Sequence, residues 1–219
     1  MGEMIELKAN DGHPFSAYRA RPDGKPRGGL VIIQEVFGLT DHIKRVTDDY
    51  AGEGYLSVAP ALFDRVEPGI TLSYDDVEKG RDVMLQLDVE DVIRDVGAAA
   101  AVAEEAGPVG AVGYCWGGAI ADLAACRLPI KVAVAYYGGR MTSWLDLKPG
   151  CPVLYHFGGQ DPLIPTETIQ QIRGARPDGV IYLYPEAGHG FNCDERADFH
   201  PVSAEQARDR SLAVSAAAL

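Results

Sequence analysis

The chain has 219 residues, 47% of them hydrophobic and 24% charged, with a formal charge of −12. That is enough to bury a full core without disulfides or a structural metal. So acidic a chain argues against nucleic acid or an anionic membrane as partner. No stretch is apolar enough for a membrane span, and the opening MGEMIELKAND carries charges where a signal peptide needs an apolar run, so the expected compartment is the cytoplasm.

Two short strands are predicted near the N-terminus, about residues 4–8 and 15–19, joined by the hairpin signal Asn10-Asp11-Gly12. Leu30-Val31-Ile32-Ile33 reads as a buried strand. Thr40 is placed to cap a helix whose Ile43, Val46 and Tyr50 share one face. A strand at 56–59 precedes a helical segment at 77–87. A longer apolar stripe follows, from Val89 through Val92, Ile93, Val96 and Ala100 to Ala103, until Gly107-Pro108 stops it. Strands follow at 109–112, 132–135, 153–157 and 180–184, all read as buried, and Ser215–Leu219 reads as a fraying helical end. Alternating strands and helices make a mostly parallel central sheet with helices on both faces, one α/β domain over residues 1–219.

In open α/β sheets chemistry gathers at the carboxyl ends of the strands. Strand 30–33 ends in Gln34-Glu35-Val36-Phe37-Gly38, and strand 109–112 in Gly113-Tyr114-Cys115-Trp116-Gly117. Strand 153–157 ends in Gly158-Gly159-Gln160-Asp161, and strand 180–184 leads to Gly188-His189-Gly190-Phe191. The second stretch has the form of the nucleophile elbow G-x-S-x-G, with cysteine in place of serine. The order nucleophile, acid, histidine is that of the α/β-hydrolases. Cys115 is therefore the candidate nucleophile, His189 the base and Asp161 the group that orients the imidazole. The backbone N–H groups of Trp116 and Val36 are candidates for an oxyanion hole. A metal held by His189, Cys193 and His200 has no recognised ligand spacing, so no metal or cofactor is expected. Cys126, Cys151 and Cys193 read as reduced thiols with packing roles.

These residues resemble the dienelactone hydrolases (carboxymethylenebutenolidases). The likeness runs from about residue 5 to 212 and also takes in Pro60-Ala61-Leu62-Phe63 and His156-Phe157. It implies the α/β-hydrolase fold, the triad Cys115, Asp161 and His189, and Glu35 as a fourth participant in contact with the resting thiol. It also implies a small unsaturated cyclic ester as substrate, whose carboxylate arginines hold. Arg81 and Arg196 are the candidates for that anchor, and Phe37 and Tyr136 are assigned to the same substrate pocket. Two other readings stay open: a broad carboxylesterase for neutral esters, and a non-catalytic thiol sensor or binding protein. Either enzyme would act on a small molecule as a monomer or small homo-oligomer.

Overall fold

The computed structural model describes residues 2–219. The N-terminal hairpin is β1 (Glu3–Lys8) and β2 (Pro14–Ala20). Gly12 supplies the positive φ its turn needs, and Asp11 accepts the His13 N–H. Then come β3 (Gly28–Ile33), α1 (Asp41–Gly52), β4 (Tyr55–Pro60), α2 (Val77–Leu85) and α3 (Val89–Ala103). The second half runs β5 (Val109–Tyr114), α4 (Trp116–Arg127), β6 (Val132–Tyr136), β7 (Val153–Gly158), α5 (Thr166–Ala175), β8 (Val180–Tyr184) and α6 (Pro201–Ala218). Thr40 caps α1 as expected, its hydroxyl accepting the Ile43 N–H at 3.3 Å, and Ile43, Val46 and Tyr50 are buried. No helix among the described residues is long and apolar enough to cross a membrane.

All eight strands join one sheet in the order β1-β2-β4-β3-β5-β6-β7-β8. β1 and β2 are antiparallel to their neighbours, and β3 to β8 run parallel. From β3 the chain moves outward to β4 through α1, then turns back past β3 to β5 through α2 and α3. Right-handed crossovers in opposite directions place α1 on one face and α3 and α4 on the other. α6 returns to the α1 face, packing on β6 and β7 and pairing its Arg208 with Glu53 at 2.6 Å. The reversal opens a crevice between the carboxyl ends of β3 and β5. Glu35 and Cys115 stand on its two sides.

Two features depart from the sequence reading. β8 is the sheet's open edge rather than a buried strand, leaving Val180 and Leu183 about half exposed. The C-terminal helix is far longer than its last five residues. Its buried stripe is Ser203, Ala207, Ser211 and Ser215, small side chains at every fourth position that let α6 lie close to the sheet.

Candidate active site

Cys115 occupies the tight turn between β5 and α4 with φ +55°, a conformation that non-glycine residues rarely adopt. The flanking glycines are demanded by backbone contact. A Cβ on Gly113 would stand 1.9 Å from the Gly117 carbonyl oxygen, and one on Gly117 would stand 2.4 Å from the carbonyls of Ile33 and Gln34. The Cys115 N–H donates to the Tyr136 carbonyl at 3.0 Å, tying the turn to β6. Trp116 begins α4, so its N–H has no acceptor within the helix. Its side chain stacks on Phe63, with ring centroids 5.8 Å apart.

Two strand ends deliver the other members. Gly158 and Gly159 lie against the chain of residues 185–188, where any Cβ would collide with backbone, and Gln160 N–H donates to the Ala187 carbonyl at 2.9 Å. That contact sets Asp161 beside His189. Asp161 Oδ2 accepts the His189 Nδ1–H at 2.8 Å, and Asp161 Oδ1 accepts the Leu163 N–H at 2.8 Å. A carboxylate can only accept, so Nδ1 carries its proton and Nε2 faces Cys115 Sγ, 3.1 Å away. Burial works against the imidazolium. The Cys115 sulfur and the Asp161 carboxylate outweigh it and push His189 up to about 10. Thiol, imidazole and carboxylate thus form one line able to move a proton.

Glu35 departs from expectation. It is 1% exposed, and no hydrogen bond joins it to the resting thiol, whose partner is His189. Its Oε1 instead pairs with Arg196 at 3.3 Å, while its buried Oε2 has no partner. The guanidinium also lies over the rings of Phe37 and Tyr74, 5.6 and 6.0 Å from their centroids. Gly190 makes room for it: a Cβ there would stand 2.7 Å from Arg196 Cζ. The Glu35 loop is held from below by Gln34, whose amide oxygen accepts the Leu62 N–H at 3.1 Å. This ties the Gln34–Gly38 stretch to Pro60–Phe63.

A cavity of about 560 Å³ opens over Cys115 and His189. Val36, Phe37, Trp116, Arg81 and Arg196 all line it, so the structure brings these candidates together. Tyr136 is a correction. It is fully buried, stacked on Tyr114 with its hydroxyl 2.8 Å from Ser211, and turned away from the cavity. Its neighbour Tyr137 lines the cavity instead, its ring 5.2 Å from that of His189. The positive φ at Tyr137 breaks the strand's alternation and redirects its side chain. Arg140, on a 3-10 turn at Gly139–Trp144, also lines the cavity, and no motif marks it in the sequence.

The structure does not gather His189, Cys193 and His200. His200 caps α6, its Nδ1 accepting the Ser203 N–H at 3.3 Å. Cys193 lies with His42 and Asp194, their candidate ligand atoms within 4.8 Å of one another. The Asp194 oxygen there is already taken by His42 at 3.1 Å and by the Arg45 guanidinium at 2.9 Å.

With this geometry in hand, known proteins supply a comparison. The family model of the dienelactone hydrolase family matches residues 15–217. The carboxymethylenebutenolidases of Pseudomonas putida and Pseudomonas knackmussii are each 34% identical over 223 residues, covering 96% of this chain and 94% of theirs. A crystal structure described as a candidate dienelactone hydrolase, from Klebsiella pneumoniae, superposes with a TM-score of 0.82. It is 30% identical and covers 96% of this chain and 98% of its own. A dienelactone hydrolase-like promiscuous phosphotriesterase from metagenomic libraries shares the fold at 20% identity, with a TM-score of 0.77 and 97% of both chains covered. The sheet and its helices are those of the α/β-hydrolase fold.

Proposed function

The chain belongs to the dienelactone hydrolase family, and on that premise we propose that it opens a small carboxylated lactone or activated ester by way of a Cys115 acyl-enzyme. The observation that carries this reading is the unbroken line from Cys115 Sγ through His189 to Asp161, with contacts of 3.1 and 2.8 Å. A thiol sensor needs a reactive sulfur but no such relay.

His189 holds the thiol proton while the sulfur attacks the carbonyl carbon. The oxygen gains negative charge and is received by the N–H groups of Trp116 and Val36. As the tetrahedral adduct collapses, the ring C–O bond breaks and His189 returns the proton to the departing oxygen. Water then attacks the thioester with His189 as base, releasing the acid and restoring the thiol. Asp161 keeps the imidazole in the productive tautomer and stabilises its cation. Arg81 and Arg196 supply the positive charge for the substrate carboxylate, which a chain of −12 would otherwise repel. Glu35 works through Arg196, holding that guanidinium against the cavity wall. Neither a metal nor a cofactor enters any step of this route, and the substrate is the only partner it names.

The test compares 4-carboxymethylenebut-2-en-4-olide with phenyl acetate, using the wild type and Cys115→Ala. We expect the wild type to hydrolyse both and to favour the lactone. The alanine variant should keep its circular dichroism spectrum and lose about 10³-fold or more in turnover on both. A Cys115→Ala protein as active as wild type would remove the assigned nucleophile. Equal preference for the two substrates would favour the broad carboxylesterase.

A further inference from the structure

The cavity over Cys115 is charged in one sense only. Its walls carry Arg81, Arg140 and Arg196 and no aspartate, glutamate or lysine, in a chain whose net charge is −12. Arg196 is balanced by Glu35. Five arginines, Arg27, Arg81, Arg140, Arg173 and Arg210, have no ion-pair partner among the described residues, and of these Arg81 and Arg140 line the cavity.

The two unpaired guanidiniums reach the cavity from opposite flanks. Arg81 stands on α2, which follows β4 and rests on the Glu35 loop: a Cβ on Gly80 would lie 2.1 Å from the Val36 carbonyl oxygen. Arg140 stands on the turn after β6, which rests on α4 and on the loop before α5. There a Cβ on Gly138 would lie 2.6 Å from Ala119 N, and one on Gly139 would lie 2.9 Å from Ile164. β4 lies to one side of β5 in the sheet and β6 to the other, and Cys115 follows β5. Ser143 and Thr168 add hydroxyls to the Arg140 wall.

We propose that Arg140, with Ser143 and Thr168, forms a second anion subsite, so that the preferred substrate carries two carboxylates, one on each side of the scissile carbonyl. This deepens the hydrolase reading above and rests on it. Arg81 and Arg196 hold the first carboxylate. Arg140 meets the second with the fork of N–H donors that suits a carboxylate, and the two hydroxyls donate to the same group. With no acid on the walls, neither anion meets a like charge at the cavity surface.

Four aryl esters test this: phenyl acetate, phenyl hydrogen succinate, 4-acetoxybenzoate and 4-carboxyphenyl hydrogen succinate. They carry no carboxylate, one on the acyl side, one on the leaving side, and one on each. Wild type should show its highest kcat/KM on the last. Arg140→Ala should lower the ratio of that ester to phenyl acetate by about tenfold or more, chiefly through KM, and should penalise one of the two monoanions. Arg81→Ala should penalise the other monoanion, and Arg140→Lys should restore part of the loss. Arg173→Ala, on the exposed face of α5, removes one positive charge elsewhere and should leave all ratios unchanged. The second subsite is overturned if Arg140→Ala shifts all four esters equally or not at all, or if Arg81 and Arg140 act on the same monoanion. Cys115-dependent hydrolysis of phenyl acetate would still stand in that case. A wild type inert toward all four esters would overturn the hydrolase reading and the subsite together.

Discussion

Two buried histidines stand near the carboxyl edge of the sheet, and the protein drives them in opposite directions. His189 is 7% exposed and is pushed up to about 10, whereas His156 is fully buried and is pushed down to about 3. Burial opposes the cation at both positions. Their partners differ. His189 lies between a carboxylate and a sulfur, both of which favour a proton on the ring. The direct hydrogen-bond partners of His156 are neutral hydroxyls, and their directions follow from one of them. The Ser211 hydroxyl donates to the Ala207 carbonyl at 2.7 Å, so its oxygen accepts from His156 Nε2–H at 3.1 Å and from the Tyr136 hydroxyl at 2.8 Å. His156 Nδ1 then accepts the Tyr184 O–H at 2.9 Å, and the nearby Arg210 charge adds to the cost of a second proton. Burial raises the stakes of an imidazole, and its neighbours choose the sign.

The strongest way to break this contrast is Asp161→Asn, which turns the surroundings of His189 toward those of His156. An amide cannot stabilise the imidazolium and is free to select the wrong tautomer. Turnover on phenyl acetate should fall by about 10³- to 10⁴-fold with the fold intact by circular dichroism. In an NMR titration the His189 ring should lose its proton well below the wild-type value. A loss under about tenfold would mean that Asp161 is not the orienting group.

The contrast also fixes how stability depends on pH. A folded pKa of about 3 at His156, against about 6.5 unfolded, means the unfolded chain binds more protons between those values. Its contribution is therefore lost as pH falls through that window. At His189 the folded value is about 10, so its contribution is complete below about 6.5 and is lost as pH rises toward 10. Each limb amounts to a few kcal/mol at most, since a tenfold change in proton affinity is worth about 1.4 kcal/mol. Urea unfolding measured from pH 4 to 9.5 should show that His156→Gln flattens the acid limb and Asp161→Asn the alkaline one. The slopes are compared rather than the levels, because both substitutions also change packing. An acid limb unchanged in His156→Gln would show that the imidazole is not held neutral.

The same pair of regions shows what the sequence could reveal. That Cys115, Asp161 and His189 would meet was legible, because each follows an apolar strand in a short glycine-containing run, in an order along the chain that the α/β-hydrolase fold brings together. The hydroxyl network around His156 was not. Ser203, Ala207, Ser211 and Ser215 face the core of α6, yet small hydroxyl residues at helical spacing give no apolar signal, so only the frayed end of that helix could be expected. Choosing Tyr136 over Tyr137 for the pocket fails for a related reason, since the redirecting positive φ belongs to the backbone and leaves no mark in residue type. The exposure of β8 depends on having no ninth strand beside it, a property of the whole sheet. Glu35 was expected against the thiol, whereas its hydrogen-bond partner in the structure is Arg196, which reaches it only through the fold of the loop after His189. Arg140 stands alone in a turn, and nothing local distinguishes it from a solvated arginine.

The gentlest probe is Tyr184→Phe, which removes one hydroxyl and keeps the ring. That hydroxyl donates to His156 Nδ1 and accepts the Arg210 N–H, each at 2.9 Å. Its loss leaves a buried ring nitrogen without a donor, at a cost of about 1–3 kcal/mol, visible as a lower midpoint in urea. Nδ1 becomes freer to bind a proton, so the acid limb should move slightly toward the unfolded behaviour, while burial keeps the imidazole mainly neutral at pH 7. The ring still packs on Phe191, with centroids 5.1 Å apart, and Phe191 still supports Tyr137 at the cavity wall, with centroids 5.4 Å apart. Turnover on phenyl acetate should therefore stay within about twofold of wild type even as stability falls. If kcat fell about tenfold with the protein still folded, the network around His156 would be part of the machinery that positions His189. The two histidines would then be coupled parts of one site.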